Sequence, residues 1–292
     1  MTAPFITVPE LAALLGPVDP VASPAPVVLD ASYVLHPPKF DGDYRRDSGR
    51  ARWLEAHIPR SQHVDVPSQF SDTSASLNYT HPTSQAIADE LARIGVGETN
   101  IVVVYDTTGG LFAARLWYLL RWIGVDVRVL DGGFAAWSAA GQPTLIGEEP
   151  APAPTAPWTP ATTLDAWITK DELVDRSESD ARPLVCGLPA GSFAGSDPTR
   201  YARRGRIPGS VNVSSRDLFA ADGTVKHDGE LRAAYAAEGV TGAEEVLLYC
   251  GGGISASANA LTLVELGITA VRVYDGSLEE WSADDSLPLA LG

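Results

Sequence analysis

The chain has 292 residues, 45% hydrophobic and 20% charged; these are globular proportions that exclude wholesale disorder and fibrous repeats, and the length fits about two domains. Its 21 Lys+Arg against 37 Asp+Glu give a formal net charge of −16, which disfavours nucleic-acid and anionic-membrane partners, and no apolar run approaches the ~18 residues that span a bilayer. With only two cysteines, Cys186 and Cys250, a disulfide framework and a four-ligand zinc site are both excluded.

Met1 to Gly16 places no Lys or Arg ahead of its apolar stretch and does not read as a secretory leader, so a cytoplasmic protein is expected. The first β-rich run, Val28-Leu29-Asp30, is followed by His57-Ile58-Pro59, where His57 reads as a structural residue of its own turn. Ile101 to Tyr105 is a strand and Asp106 to Gly110 a glycine-bearing loop. Leu111 to Trp122 is a helix, and a further strand, Val127 to Leu130, ends at Asp131-Gly132-Gly133. Pro143 to Pro160 holds six prolines without periodicity and reads as an extended, semi-rigid linker.

The chain then repeats itself. Leu184-Val185-Cys186 answers Val28-Leu29-Asp30, and Arg206-Ile207-Pro208 answers His57-Ile58-Pro59. Val246 to Cys250 answers Val102 to Asp106, with Cys250 lying 144 residues after Asp106, and Val271 to Gly276 answers Val127 to Gly132 at the same offset, which Trp137 and Trp281 also keep. Ser255 to Leu266 reads as a helix with Gly267 as its C-terminal cap. The expectation is an α/β protein of two tandem domains, each a mostly parallel sheet flanked by helices: residues 1–142, a linker at 143–160, and residues 161–292.

Cys250-Gly251-Gly252-Gly253-Ile254-Ser255 stands between a buried strand and a helix, where ligands of such sheets bind. The glycines free the backbone to turn successive N–H groups toward one centre, and the helix N-terminus adds partial positive charge. Both favour a thiolate, and would hold a persulfide equally well. Ser255 is placed to cap the helix. The competing reading of Cys250 is a small buried hydrophobe beside a tight turn. The glycine loop, and the Asp at the matching position of the other copy, weigh against it. A P-loop would need Gly-Lys-Ser/Thr, a cysteine phosphatase an Arg six positions after the Cys, where Ala256 stands, and a cysteine protease a His, where only the loop residue His227 is on offer. Arg200, Arg203, Arg204 and Arg206 form a cationic cluster that could grip an acidic substrate; a solvated loop with scattered ion pairs is the alternative. Cys186 reads as a buried inert thiol, with resolution of an oxidised Cys250 as the alternative.

These motifs, with the closing Tyr274-Asp275-Gly276-Ser277-Leu278-Glu279-Glu280-Trp281, resemble those of the tandem rhodanese-domain sulfurtransferases of the 3-mercaptopyruvate/thiosulfate type, over nearly the whole chain. The resemblance implies a silent first domain and a catalytic second one, with Cys250 carrying sulfur from a donor to a thiol or cyanide as a persulfide. The cation-free loop resembles the mercaptopyruvate-type Cys-Gly-Ser-Gly-Val-Thr, with Gly252 in place of the Ser; a thiosulfate donor is the alternative. Arg200 matches a family arginine after Glu-Pro with a one-residue slip, Arg206 stands where the family has His, and Ala194 and Leu278 replace a family Arg and an aromatic. The expected donor site is therefore Arg200, Arg206 and the loop residues Gly251, Gly252, Gly253, Ile254 and Ser255. The implied partners are a small-molecule donor, a thiol or cyanide acceptor and a thioredoxin-like reductant, with no metal or organic cofactor. A reading of another class is a non-catalytic persulfide relay or redox-sensing module.

Overall fold

The computed structural model describes residues 3–16, 26–161, 164–176, 179–242 and 244–292. In the first copy, β1 (Phe5–Ile6) and β2 (Val27–Asp30) are followed by an antiparallel ribbon of β3 (Tyr33–Leu35) and β4 (Arg46–Ser48). Then come β5 (Ser61–His63), β6 (Val102–Tyr105) and β7 (Val127–Leu130). The sheet runs β1-β7-β6-β2-β5, with every neighbouring pair parallel. The second copy supplies β8 (Trp167–Ile168), β9 (Leu184–Cys186), β10 (Val211–Asn212), β11 (Val246–Tyr249) and β12 (Val271–Tyr274). Its order, β8-β12-β11-β9-β10, is the same topology. The α/β architecture of two parallel sheets flanked by helices is thus present as expected. The central strands β6 and β11 are buried at every residue, which is why they read as unbroken apolar runs.

The helix after each central strand, Leu111–Trp122 in the first copy and Ile254–Glu265 in the second, is apolar on nearly all sides because it is covered on all sides. One side lies on its own sheet, and the other meets the partner helix, so a single apolar core runs through both copies. The contacts around this helix pair are exchanged almost symmetrically. The amide of His81 donates to Asp275 Oδ2 at 2.7 Å, and that of Val225 to Asp131 Oδ1 at 2.7 Å. Both donors and both acceptors stand 144 residues apart.

The two helices begin at 111 and 254, an offset of 143 where the strands keep 144. The loop leading into the second helix is therefore one residue shorter than its counterpart. It also starts the helix at Ile254, one residue before the expected Ser255. The N-cap is Gly253 in the left-handed region at φ 77°, not Ser255, which sits inside the first turn. Gly267, at φ 85°, takes the left-handed position just past the helix, as its sequence context suggests.

Residues 143–160 form neither helix nor strand and lie along the first copy. Leu145 pairs with His57, and the Thr155 amide donates to Ala92 O at 2.9 Å. The end of the chain treats the second copy likewise, Ala290 pairing with Arg206. Among the described residues no helix is long and apolar enough to cross a membrane, and no cluster of metal-ligating side chains forms.

Candidate active site

Cys250 is the residue after β11, at the carboxyl end of the second sheet, and 2% of its surface is exposed. The closing segment grips the loop from behind. The Cys250 amide donates to Ser277 Oγ at 3.1 Å, and that hydroxyl donates to Tyr274 O at 2.7 Å. In return, the amides of Leu278 and Glu279 donate to the carbonyls of Cys250 and Gly251 at 3.2 and 2.9 Å. Ser277 reaches this position at φ 48°, a left-handed conformation that a non-glycine residue holds only where its surroundings enforce it.

Two of the glycines are required by close approach. A Cβ on Gly251 would lie 1.4 Å from the Tyr201 hydroxyl. One on Gly253, already at φ 77°, would lie 2.8 Å from Arg115 Nη1 and 2.9 Å from Asp275 Oδ1. Arg115 belongs to the first copy and is fully buried; it pairs with Asp275 at 2.7 Å and donates to Tyr79 O at 2.6 Å. Asn78, also from the first copy, donates through Nδ2 to Glu279 at 2.6 Å. The loop is therefore framed by both copies. Burial pushes the Glu279 carboxyl up, and burial together with the Cys250 sulfur pushes the Tyr201 hydroxyl up.

The first copy displays what such a loop does with an anion. Asp106 stands where Cys250 stands, and its carboxylate accepts four main-chain N–H groups. Those of Thr108 and Gly110 reach Oδ1, both at 2.8 Å, and those of Phe112 and Ala113 reach Oδ2 at 3.1 and 3.0 Å. In the second copy, no amide from Gly251 to Ala256 has a hydrogen-bond acceptor among the described residues. That leaves a set of unclaimed donors at the start of a helix, the end that favours an anion.

A cleft of about 610 Å³ opens between the copies. Tyr33, His36 and Phe112 line it from the first copy, and Leu188, Ile254 and Ser255 from the second, together with two arginines, Arg200 and Arg216. Cys250 itself is not among the lining residues. Arg200 donates through Nη2 to His36 O and lies 5.6 Å from the Tyr44 ring centroid, while its buried Nε has no partner.

The other expected anchor is elsewhere. Arg206 donates to Gly292 O at 2.5 Å and lies over the Phe193 ring at 4.7 Å, outside the cleft lining. The strand pairing with Ala290 turns it toward the end of the chain. Arg203 and Arg204 are likewise spent, on main-chain carbonyls such as Asp284 O at 2.6 Å and on Asp41 at 2.9 Å. His57 is buried against its own turn, with Nδ1 2.8 Å from Trp53 O, and His227 is exposed at a helix N-cap. Cys186 ends β9 opposite Tyr249, wholly buried, and burial pushes its thiol up to about 12. At neutral pH it is a protonated thiol without the nucleophilic form that resolution would need.

Sequence reading missed Tyr79, Arg115, Tyr201, Arg216 and Glu279. The signal for Arg115 was present, a lone charge inside an otherwise apolar helix. The others show no local pattern that marks them.

The model of the rhodanese-like domain matches this chain twice, at residues 40–140 and 191–284. The 3-mercaptopyruvate sulfurtransferase of Escherichia coli K12 is 30% identical over 241 residues, covering 81% of this chain and 84% of its own. The human 3-mercaptopyruvate sulfurtransferase is 32% identical over 261 residues, covering 87% and 84%. The thiosulfate sulfurtransferase of Gallus gallus is 30% identical over 257 residues, covering 87% and 85%. Among solved structures, SseA of Escherichia coli, a 3-mercaptopyruvate sulfotransferase by its description, superposes with a TM-score of 0.78 at 26% identity, covering 94% of this chain and 99% of its own.

Proposed function

The chain belongs to the rhodanese family and is a sulfurtransferase, and from that premise we propose that it moves a sulfane sulfur from 3-mercaptopyruvate to a thiol or cyanide through a persulfide on Cys250. The observation that carries this reading is the pair of loops. One copy fills its ring of amides with a carboxylate, and the other leaves the ring unclaimed in front of a cysteine.

The length of the side chain sharpens the point. A thiol sulfur sits one bond from Cβ, whereas the oxygens of Asp106 sit two bonds out. Adding a second sulfur at an S–S distance of about 2.05 Å brings the terminal atom of a persulfide out to the reach of those oxygens. A persulfide would thus reach further toward the loop amides than a thiol does, and donors there would stabilise negative charge as that charge moves onto the outer sulfur.

In the first half-reaction the Cys250 thiolate attacks the donor sulfur. The S–S bond forms, the C3–S bond breaks, and its electron pair leaves on pyruvate as the enolate, which takes a proton at C3. In the second, an acceptor thiolate or cyanide attacks the outer sulfur and returns the Cys250 thiolate. Arg200 would orient the donor carboxylate from the cleft wall, through the guanidinium edge that His36 leaves free. The loop residues 251–255 carry no cation, which favours this donor over the thiosulfate dianion. Because Cys250 is buried and outside the cleft lining, neighbouring side chains must shift to admit the donor, and Tyr201, packed on Gly251, is placed to do so.

Intact mass after incubation with 3-mercaptopyruvate tests the reading. The expected result is one added sulfur on the wild type and on Cys186→Ser, lost in Cys250→Ser. Added sulfur surviving in Cys250→Ser, or none in the wild type with any donor, overturns it. Steady-state kcat/KM for the two donors then decides between them, and comparable values would refute the preference for mercaptopyruvate.

A further inference from the structure

Arg216 occupies a single 3-10 turn, Ser215–Leu218, that packs against the helix following Cys250. The turn is held from both sides. The buried Ser215 donates its amide to Gly187 O at 3.0 Å, and the Asp217 amide donates to Ser214 O at 3.0 Å. The backbone under Arg216 is therefore fixed, while its side chain is exposed and lines the cleft that also holds Ser255 and Arg200.

Its guanidinium is unclaimed. Every other described arginine of the second copy, from Arg176 to Arg272, has at least one protein acceptor for its guanidinium, be it Asp180, the carbonyl of Leu266 or that of Trp167. Arg216 has none among the described residues. In a chain with 37 carboxylates to 21 Lys and Arg, a cation without a carboxylate partner is the less expected outcome. The only carboxylate on the same cleft lining is Asp197, which would repel an acidic ligand. The two arginines are the cations of known charge on this lining that a bound carboxylate could pair with.

We propose that Arg216 is a specificity-determining residue that grips the carboxylate of a 2-oxo acid sulfur donor together with Arg200. The inference rests on the donor reading above and deepens it. Arg200 is already engaged by His36 and Tyr44 and can offer only part of its fork, whereas Arg216 presents its whole edge, suited to bidentate contact. No described residue bonds or ion-pairs with the Arg216 side chain, so replacing it should not disturb the fold.

The test is steady-state kinetics with 3-mercaptopyruvate on the full chain, comparing wild type with Arg216→Gln, Arg216→Lys and, as a control for bulk charge, Arg232→Gln. The expected result for Arg216→Gln is a KM raised about tenfold, the equivalent of about 1.4 kcal/mol, with kcat within twofold and an unchanged thermal midpoint. Arg216→Lys should fall between, and Arg232→Gln should match the wild type. A KM for Arg216→Gln within twofold of wild type, an equal rise in Arg232→Gln, or a loss confined to kcat overturns the proposal while leaving the donor reading standing. A wild type that draws sulfur from thiosulfate and none from mercaptopyruvate overturns the donor reading, and this proposal with it.

Discussion

Asp106 and Cys250 hold the same place in two copies of one loop, and the difference between them is chemical. The Asp106 side chain carries its own acceptor oxygens and satisfies four amides unaided. The cysteine supplies no such acceptor, and the amides of its loop have none among the described residues. Asp106→Asn tests whether the ring holds charge in this way. The amide NH2 would face two N–H donors in place of an oxygen, losing two hydrogen bonds to a charged acceptor, so a destabilisation of about 2–4 kcal/mol is expected. Urea unfolding measures it, and a change under about 0.5 kcal/mol would mean that the carboxylate is incidental. The loop was legible in the sequence because glycines, strand and cysteine are contiguous. The arginines were not. Arg200, Arg203, Arg204 and Arg206 are neighbours in sequence yet go to His36, Asp284, Asp41 and Gly292, four different places. Arg216, ten residues on from the cluster, joins Arg200 at the cleft only because the chain passes through β10 and turns back over the helix.

At the scale of elements, the central strands and the helix after each followed from apolar runs, the smaller elements did not, and the strand offset of 144 carried the duplication. The one-residue slip to 143 in the helices escaped notice because helical apolar periodicity tolerates a shift that only the loop geometry resolves. That slip sets Gly253 at the start of the second helix, where Arg115 reaches it from the helix of the first copy. The Arg115–Asp275 pair spans the two copies at 2.7 Å, with the arginine wholly buried. Removing one member of such a pair strands the other, so Arg115→Met should cost about 3–5 kcal/mol. Asp275→Asn added to it should recover part of that loss, since the uncompensated charge is then gone. Thermal or urea melts of the two variants measure this, and strictly additive losses would show the pair uncoupled. Persulfide formation should slow in Arg115→Met even under conditions where it remains folded, because the Gly253 turn loses its support.

The molecule as a whole is two sheets sharing one core, and the shared core explains why a copy without a cysteine persists. It supplies Asn78, Tyr79 and Arg115 to the loop of the other copy, a debt that no reading of one copy in isolation reveals. The exchange is mirrored by residues 220–228, which cover the first copy and enclose a cleft of about 500 Å³ with Asp131 and Glu265. Burial pushes both carboxyls above their ordinary range; Asp228 and Asp131 push Glu265 further, and Asp222 does the same to Asp131. Glu265 Oε2 has no hydrogen-bond partner there. A carboxyl whose pKa is higher folded than unfolded favours folding below the unfolded value and loses that advantage as the pH rises through the folded value. The ionised form at neutral and alkaline pH is therefore a cost to the folded state, which a neutral amide of the same shape does not bear. Glu265→Gln should melt above the wild type at about pH 8, and the gap should close as the pH approaches about 3, where the wild-type carboxyl is protonated in both states. Calorimetry at the two pH values reads the difference directly. A gap that stays constant, or widens toward acid, would show that the buried charge between the copies does not govern their association.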